Sequence, residues 1–122
     1  MGAERRALEA VHEICDGRAT APCRFRRLGP EAEDLLAHVH PDSEDVHGWA
    51  LVTARRAPDE RQQAERRERA LTAAQRFMLS LSCDGVDNAW VEDGLPGAEA
   101  FRAAGLDVRA EVPVGLIWWR HA

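Results

Sequence analysis

The chain has 122 residues, 45 % of them hydrophobic and 30 % charged, which is enough for one domain with a single modest core. Its net charge of -5 argues against a general nucleic-acid binder, because neutralising phosphates needs a basic surface. No apolar run approaches the roughly 20 residues of a membrane-spanning helix, and "MGAERRALEA" lacks the apolar stretch of a secretion signal. The expectation is one cytoplasmic domain over residues 1–122, with neither nucleic acid nor membrane as a partner.

In chain order, "AERRALEAVHEIC" places Leu8, Val11, Ile14 and Cys15 on one helical face, and Asp16-Gly17 ends that helix. An irregular basic stretch, "GRATAPCRFRRL", follows. A second helix is predicted from Pro30, with acids in its first turn and Leu35, Leu36 and Val39 on its buried side; His40-Pro41 stops it. "HPDSEDVHG" reads as a polar loop and Trp49 to Thr53 as a strand.

Pro58-Asp59 opens a long helix. Its first half is solvated. Its second half carries Leu71, Ala74, Met78 and Leu81 at spacings of three and four, with Phe77 widening the apolar stripe. Asp84-Gly85 ends it. "NAWVE" is a short strand, "LPGAEAFRAAG" a short helix, and Val114 to Trp119 a closing strand. The fold class is α+β, with helices packed on a small sheet.

Three cysteines, Cys15, Cys23 and Cys83, form no CxxC pair, so reduced thiols are expected, with Cys83 packed in the core. His38, His40 and His47 do not have metal-ligand spacing, and no metal is expected. Trp118 and Trp119 are adjacent. On a strand they point to opposite faces, so one of them is expected at the rim as an interface anchor unless both faces are covered.

Three segments resemble the nitroreductase-like family, flavoproteins that bind FMN at a dimer interface. The first is "AAQRFMLSLSCDGVDNAW". Ala74, Gln75, Met78, Leu79, Gly85 and Trp90 fall without a gap on the family's A-Q-N-L-M-L-A-A-x-x-x-G-L-G-x-x-W, and Asp87 replaces its second glycine. The second is "PDSEDVHGW", which has the length of the family's P-S-x-x-N-x-Q-P-W loop; Pro41 and Trp49 match, whereas Asp45, His47 and Gly48 replace Asn, Gln and Pro. The third is "RATAPCRF", where Arg18 and Thr20 stand for the start of the phosphate-gripping R-R-S-x-R-x-F and Pro22 replaces its second Arg.

The resemblance implies a reduced nitroreductase-like fold, with a mainly antiparallel sheet around a long central helix. It implies FMN shared with a partner chain, contacted here by Arg18, Thr20, Arg24, Asp45 and His47, with Arg26 and Arg27 as further phosphate partners. Leu71, Ala74, Met78, Leu81, Trp118 and Trp119 would form the interface. A chain shortened in this way resembles the small subunit of a heteromeric FMN-dependent oxidoreductase such as a cyclodipeptide oxidase, with a larger nitroreductase-like subunit as partner. The alternatives are a dimeric module without flavin and a self-sufficient FMN reductase homodimer. The sequence singles out no catalytic residue.

Overall fold

A computed structural model describes residues 2–12, 14, 21–28, 46–92, 95, 101–102 and 105–121. The helix expected over 30–39 and residues Arg18, Thr20 and Asp45 lie outside the described residues. The described elements are α1 (Gly2–Ala10), β1 (Cys23–Arg27), β2 (Gly48–Arg55), α2 (Glu60–Cys83), β3 (Val86–Val91) and β4 (Glu111–His121). The four strands form one antiparallel sheet in the order β1-β2-β4-β3. The α+β architecture expected from the sequence is therefore present.

Two local corrections have physical causes. The first helix ends at Ala10, and Val11, His12 and Ile14 lie in turns. The stretch "CRFRR" is a strand, not irregular coil. Its side chains alternate: Cys23 and Phe25 pack on the helical side of the sheet, whereas Arg26 reaches Glu111 on the other. Arginine at alternate positions hides the period-two signal, because its aliphatic stem lies over the sheet while the guanidinium finds polar partners.

Helix α2 begins at the N-cap Asp59, whose carboxylate accepts the Gln62 amide at 2.8 Å. It ends where Gly85 takes φ +75, a backbone region that side chains disfavour. Ala70, Ala73, Ala74, Phe77 and Leu81 are its buried residues. Phe77 thus lies on the line facing the sheet. It contacts Phe25 at 5.1 Å and Trp119 at 5.5 Å between ring centroids, in tilted geometry. Leu71 and Met78 lie only partly buried beside this line, and Leu79 is 65 % exposed.

Helix α1 and the turn after it join the same layer through Ala7 and Val11, and through two ion pairs, Arg6 to Asp84 and Arg27 to Glu4. The other sheet face carries a second apolar cluster of Leu28, Trp49, Leu51, Phe101, Leu106 and Leu116. Trp119 belongs to the helical side and Trp118 packs against the second cluster, so the adjacent tryptophans do point to opposite faces. Both faces are covered by the chain itself, and Trp119 is only 3 % exposed. The expected rim anchor is therefore not Trp119. Trp118 is half-buried, with the Arg120 guanidinium 5.6 Å from its ring centroid.

The tryptophans need glycines beneath them. A Cβ on Gly48 would lie 2.3 Å from the Trp119 ring, and one on Gly115 would lie 2.3 Å from the Trp90 ring. The β2–β4 pairing shifts register between Val52 and Thr53, so that Val52 pairs with Gly115 and Thr53 with Pro113. The extra residue, Val114, stays in the helical-side core, and this bulge turns Glu111 toward the opposite face. Pro113 is tolerated because β3 pairs with Leu116 to His121, leaving β4 without a paired strand on that side at Pro113 among the described residues.

Truncating Phe77 to alanine should cost about 3–5 kcal/mol, read as a lowered urea midpoint with little change in slope. A Gly48→Val chain should lose about 1–3 kcal/mol in the same measurement, because Trp119 has nowhere to move.

Candidate functional site

At the end of the sheet away from the apolar cluster, β1, β2 and the start of β4 carry a polar layer. The register places Arg24 opposite Thr53, and Arg55 opposite Glu111. Glu111 is 5 % exposed and Thr53 is fully buried. The Thr53 hydroxyl donates to Glu111 Oε1 at 2.6 Å, and Arg26 Nη2 donates to Glu111 Oε2 at 2.9 Å. Both carboxylate oxygens are thus engaged, which a buried charge requires.

Arg55 is fixed through its backbone. Its N–H donates to the Pro22 carbonyl at 2.8 Å, and its own carbonyl accepts from Gln63 Nε2 at 3.2 Å and from Arg66 Nη1 at 3.4 Å. The strand-to-helix turn therefore sets where its side chain can reach. These residues surround a cavity of ≈ 290 Å³ lined by Ala21, Cys23, Arg24, Arg26, Arg55, Asp107, Ala110 and Glu111.

Among the described residues, two buried side-chain N–H groups lack an acceptor: Arg26 Nε and Arg55 Nε. Both belong to residues lining this cavity. An unsatisfied buried donor costs about 1–3 kcal/mol, and more when it is charged. Neither Arg24 nor Arg55 has a carboxylate partner among the described residues. Asp107 also lines the cavity, and its Oδ1 accepts the Arg109 amide at 3.0 Å. The arrangement can hold an oxyanion.

A second cavity of ≈ 270 Å³ lies on the helical side, lined by Ala3, Glu4, Arg27, His47, Leu81, Val86 and Trp119. Arg27 is already committed here, paired to Glu4 at 2.5 Å with its guanidinium 5.8 Å from the Trp119 ring centroid. The His47 amide donates to the Trp119 carbonyl at 2.8 Å, extending the β2–β4 pairing. Arg24 and His47, both singled out in the sequence, therefore line different cavities. Of the arginines considered as phosphate partners, Arg24 and Arg26 come together, and Arg27 does not join them.

Solved structures share this fold. A protein from Desulfovibrio desulfuricans, described as a nitroreductase in complex with FMN, superposes with a TM-score of 0.78 at 23% identity, over 98% of this chain and 73% of that one. A nitroreductase-like family protein from Bacillus cereus gives 0.76 at 15% identity, over 98% and 73%. A nitroreductase family protein from Streptococcus pneumoniae gives 0.76 at 11% identity, over 99% and 80%. The chain has a nitroreductase-like fold. No protein-family model matches it, and no curated protein matches it by sequence.

In this nitroreductase-like frame, the helix of the A-Q-N-L-M-L resemblance is α2. Of the residues named for an interface, Ala74 and Leu81 are buried against the chain's own sheet, and Trp119 is buried in that sheet on the side facing α2. Leu71, Met78 and Trp118 remain partly open. Thr53, Arg55 and Glu111 were not singled out in the sequence. Arg55 carried a weak signal, as a cation at the end of an apolar strand in phase with Leu51 and Thr53. Glu111 carried none, because the bulge at Val114 reverses the alternation that would place it.

The cysteines depart from expectation. Cys83 is free and exposed, not packed in the core. Cys23 is disulfide-bonded, not a reduced thiol. Among the described residues no three His, Cys, Asp or Glu side chains converge on a metal position, and no helix is long and apolar enough to cross a membrane.

Replacing Glu111 by leucine should cost about 1.5–3 kcal/mol in denaturant unfolding, because it strands the Arg26 guanidinium and the Thr53 hydroxyl. Thr53→Val, which removes one neutral donor, should cost less than half of that.

Proposed function

We propose that this chain is one subunit of an FMN-dependent oxidoreductase whose flavin site is completed by a second chain, in the manner of the small subunit of a cyclodipeptide oxidase. The observation that carries the reading is the arginine-lined cavity with two buried donors lacking acceptors, set in a fold shared with an FMN-bound protein. A flavin needs cationic donors for its phosphate, a platform for its ring and a hydrogen bond near its reactive nitrogen. The described residues fit the first requirement through Arg24, Arg26 and Arg55. By resemblance, Arg18 and Thr20 would add to the phosphate cradle and Asp45 would lie toward the ring, whereas His47 lines the separate cavity on the helical side.

Size supports a shared site. Pockets that enclose a drug-sized ligand run from about 300 to 1,000 Å³. A cavity of ≈ 290 Å³ suits one end of FMN and leaves the ring to be covered from elsewhere. FMN, once bound, would supply the hydride chemistry; this chain's part is to grip its phosphate and present the assembly surface. Leu71, Met78 and Leu79, at positions i, i+7 and i+8 of α2, form the apolar flank left for a partner, with Trp118 as a separate partly open anchor.

A homodimer that binds FMN by itself is the second reading. It is favoured by the share of each neighbour that the chain retains, 73–80% among those compared. A flavin-free module is disfavoured by the cost of leaving two cationic donors buried without acceptors.

Visible absorption of the purified chain, alone and co-expressed with a full-length nitroreductase-like chain, separates these readings. The expected result is a colourless single chain and a yellow complex. Yellow protein from the single chain would establish the homodimer instead, and no flavin in either preparation would leave the flavin-free module. Leu79→Glu should abolish the complex, by size-exclusion chromatography, while the thermal midpoint of the single chain moves little, since this side chain is mostly exposed.

A further inference from the structure

We propose that the helical-side cavity between Trp119, Leu81, Val86 and the Arg27–Glu4 pair is a second ligand site, which takes a small uncharged aromatic molecule bearing a carbonyl group. It goes beyond the flavin reading and does not rest on it. Arg27 and His47 lie at the opposite end of the β1–β2 pair from Cys23 and Arg55. The four residue steps from Cys23 to Arg27 put about 13 Å of strand between the two ends.

The first observation is a donor without a partner. Trp119 is 3 % exposed. Its ring meets Phe77 and the Arg27 guanidinium, and its carbonyl accepts the His47 amide, but its indole N–H has no acceptor among the described residues. A buried tryptophan N–H ordinarily finds one. The nitrogen edge of the ring lies over Gly48, where a Cβ would sit 2.7 Å from Nε1. Gly48 adjoins His47, which lines the cavity together with Trp119. Unlike the enclosed Nε groups of Arg26 and Arg55, this N–H is not sealed off by protein. A carbonyl oxygen on a molecule in the cavity supplies the missing acceptor.

The second is size and charge. The cavity of ≈ 270 Å³ falls just short of the range of about 300–1,000 Å³ that encloses drug-sized ligands, so it suits a single ring with a short substituent. Ala3, Leu81, Val86 and the indole give it apolar walls, which favour such a ring. The guanidinium and the carboxylate of the lining, Arg27 and Glu4, are paired with each other. An anion would have to displace Glu4 from Arg27, and a cation would have to displace Arg27 from Glu4. An uncharged molecule leaves that pair intact and avoids the cost of stranding one of its members.

The third is preorganisation. Arg27 Nε donates to Glu4 at 2.5 Å, Nη2 donates to the His47 carbonyl at 3.4 Å, and the guanidinium lies 5.8 Å from the Trp119 ring centroid. The rim of the cavity is therefore fixed before a ligand arrives, which lowers the entropy lost on binding.

The test follows the four indole N–H signals of the ¹⁵N-labelled full chain by NMR during titration with benzamide, benzoate and toluene, with the Trp119 signal assigned by through-bond correlation. Benzamide should move the Trp119 signal saturably downfield, as a new hydrogen bond does, and bind at least about tenfold more tightly than benzoate. Toluene, which has no acceptor, should produce no downfield shift. Ala3→Phe, which fills the cavity from its rim, should weaken benzamide at least about tenfold. Glu4→Gln leaves Arg27 without its anion and should turn the preference toward benzoate. A merely structural ion pair would not give that reversal, and it remains measurable if Ala3→Phe fails to fold. No movement of the Trp119 signal at millimolar benzamide overturns the proposal. So does unchanged affinity in a folded Ala3→Phe chain, an equal downfield shift with toluene, or tighter binding of benzoate than of benzamide to the unaltered chain.

Discussion

Phe77 lies between Phe25 of β1 and Trp119 of β4, and the rest of the fold is arranged around that contact. The residues flanking it on the buried line of α2 are alanines, Ala70, Ala73 and Ala74, which allow the helix to come close to the sheet. Close approach is what puts one aromatic ring in reach of two strands that are not neighbours. It also forces the glycine at position 48, since the Trp119 ring fills the space a side chain would take on the adjacent strand. A large ring at 77, small residues around it, and a missing Cβ opposite Trp119 are one packing solution written in three places.

The opposite face is governed by the bulge in β4. Without the extra residue at Val114, alternation would send Glu111 into the helical-side core, among Cys23, Val52 and Ala54, where no cation waits. With it, Glu111 meets Thr53 and Arg26, and the strand end becomes polar while its middle stays apolar. The same bulge accommodates Pro113 beyond the last pairing with β3. One irregularity thus separates a hydrophobic half from a cationic half on a single sheet face. Where that boundary falls decides where a charged ligand could sit.

Much of the frame was legible in the sequence because it rests on local signals. The N-cap at Asp59, the glycine stop at Gly85 and the apolar spacing through Leu81 define α2, and the run Trp49 to Thr53 defines β2. The strand at Cys23 to Arg27 was not legible, because three of its five residues are arginines and their alternation only becomes visible once Phe25 has Phe77 to pack on. Nor could periodicity identify the middle of the α2 stripe: Leu71 and Met78 look more apolar than Ala73, yet the alanine side faces the sheet because close packing outweighs side-chain size there. At the cavity, Arg24 and Arg26 were recognisable as cations near a candidate phosphate site. Arg55 is far from them in sequence and joins them only through the β1–β2 register, and Glu111 arrives through a bulge that no pattern of residue types announces.

Core and site differ in how complete they are, and the difference bears on what a second chain would be for. Adjacent tryptophans at the end of a short chain suggest a sheet face that needs covering from outside. The structure instead covers both faces with its own residues, buries Trp119, and among the described residues leaves the Leu71–Met78–Leu79 flank, Leu8 and part of Trp118 open. A partner is therefore not required to close the hydrophobic core. What stays open is the polar end, where Arg26 and Arg55 keep donors without acceptors beside a cavity about the size of one end of a flavin.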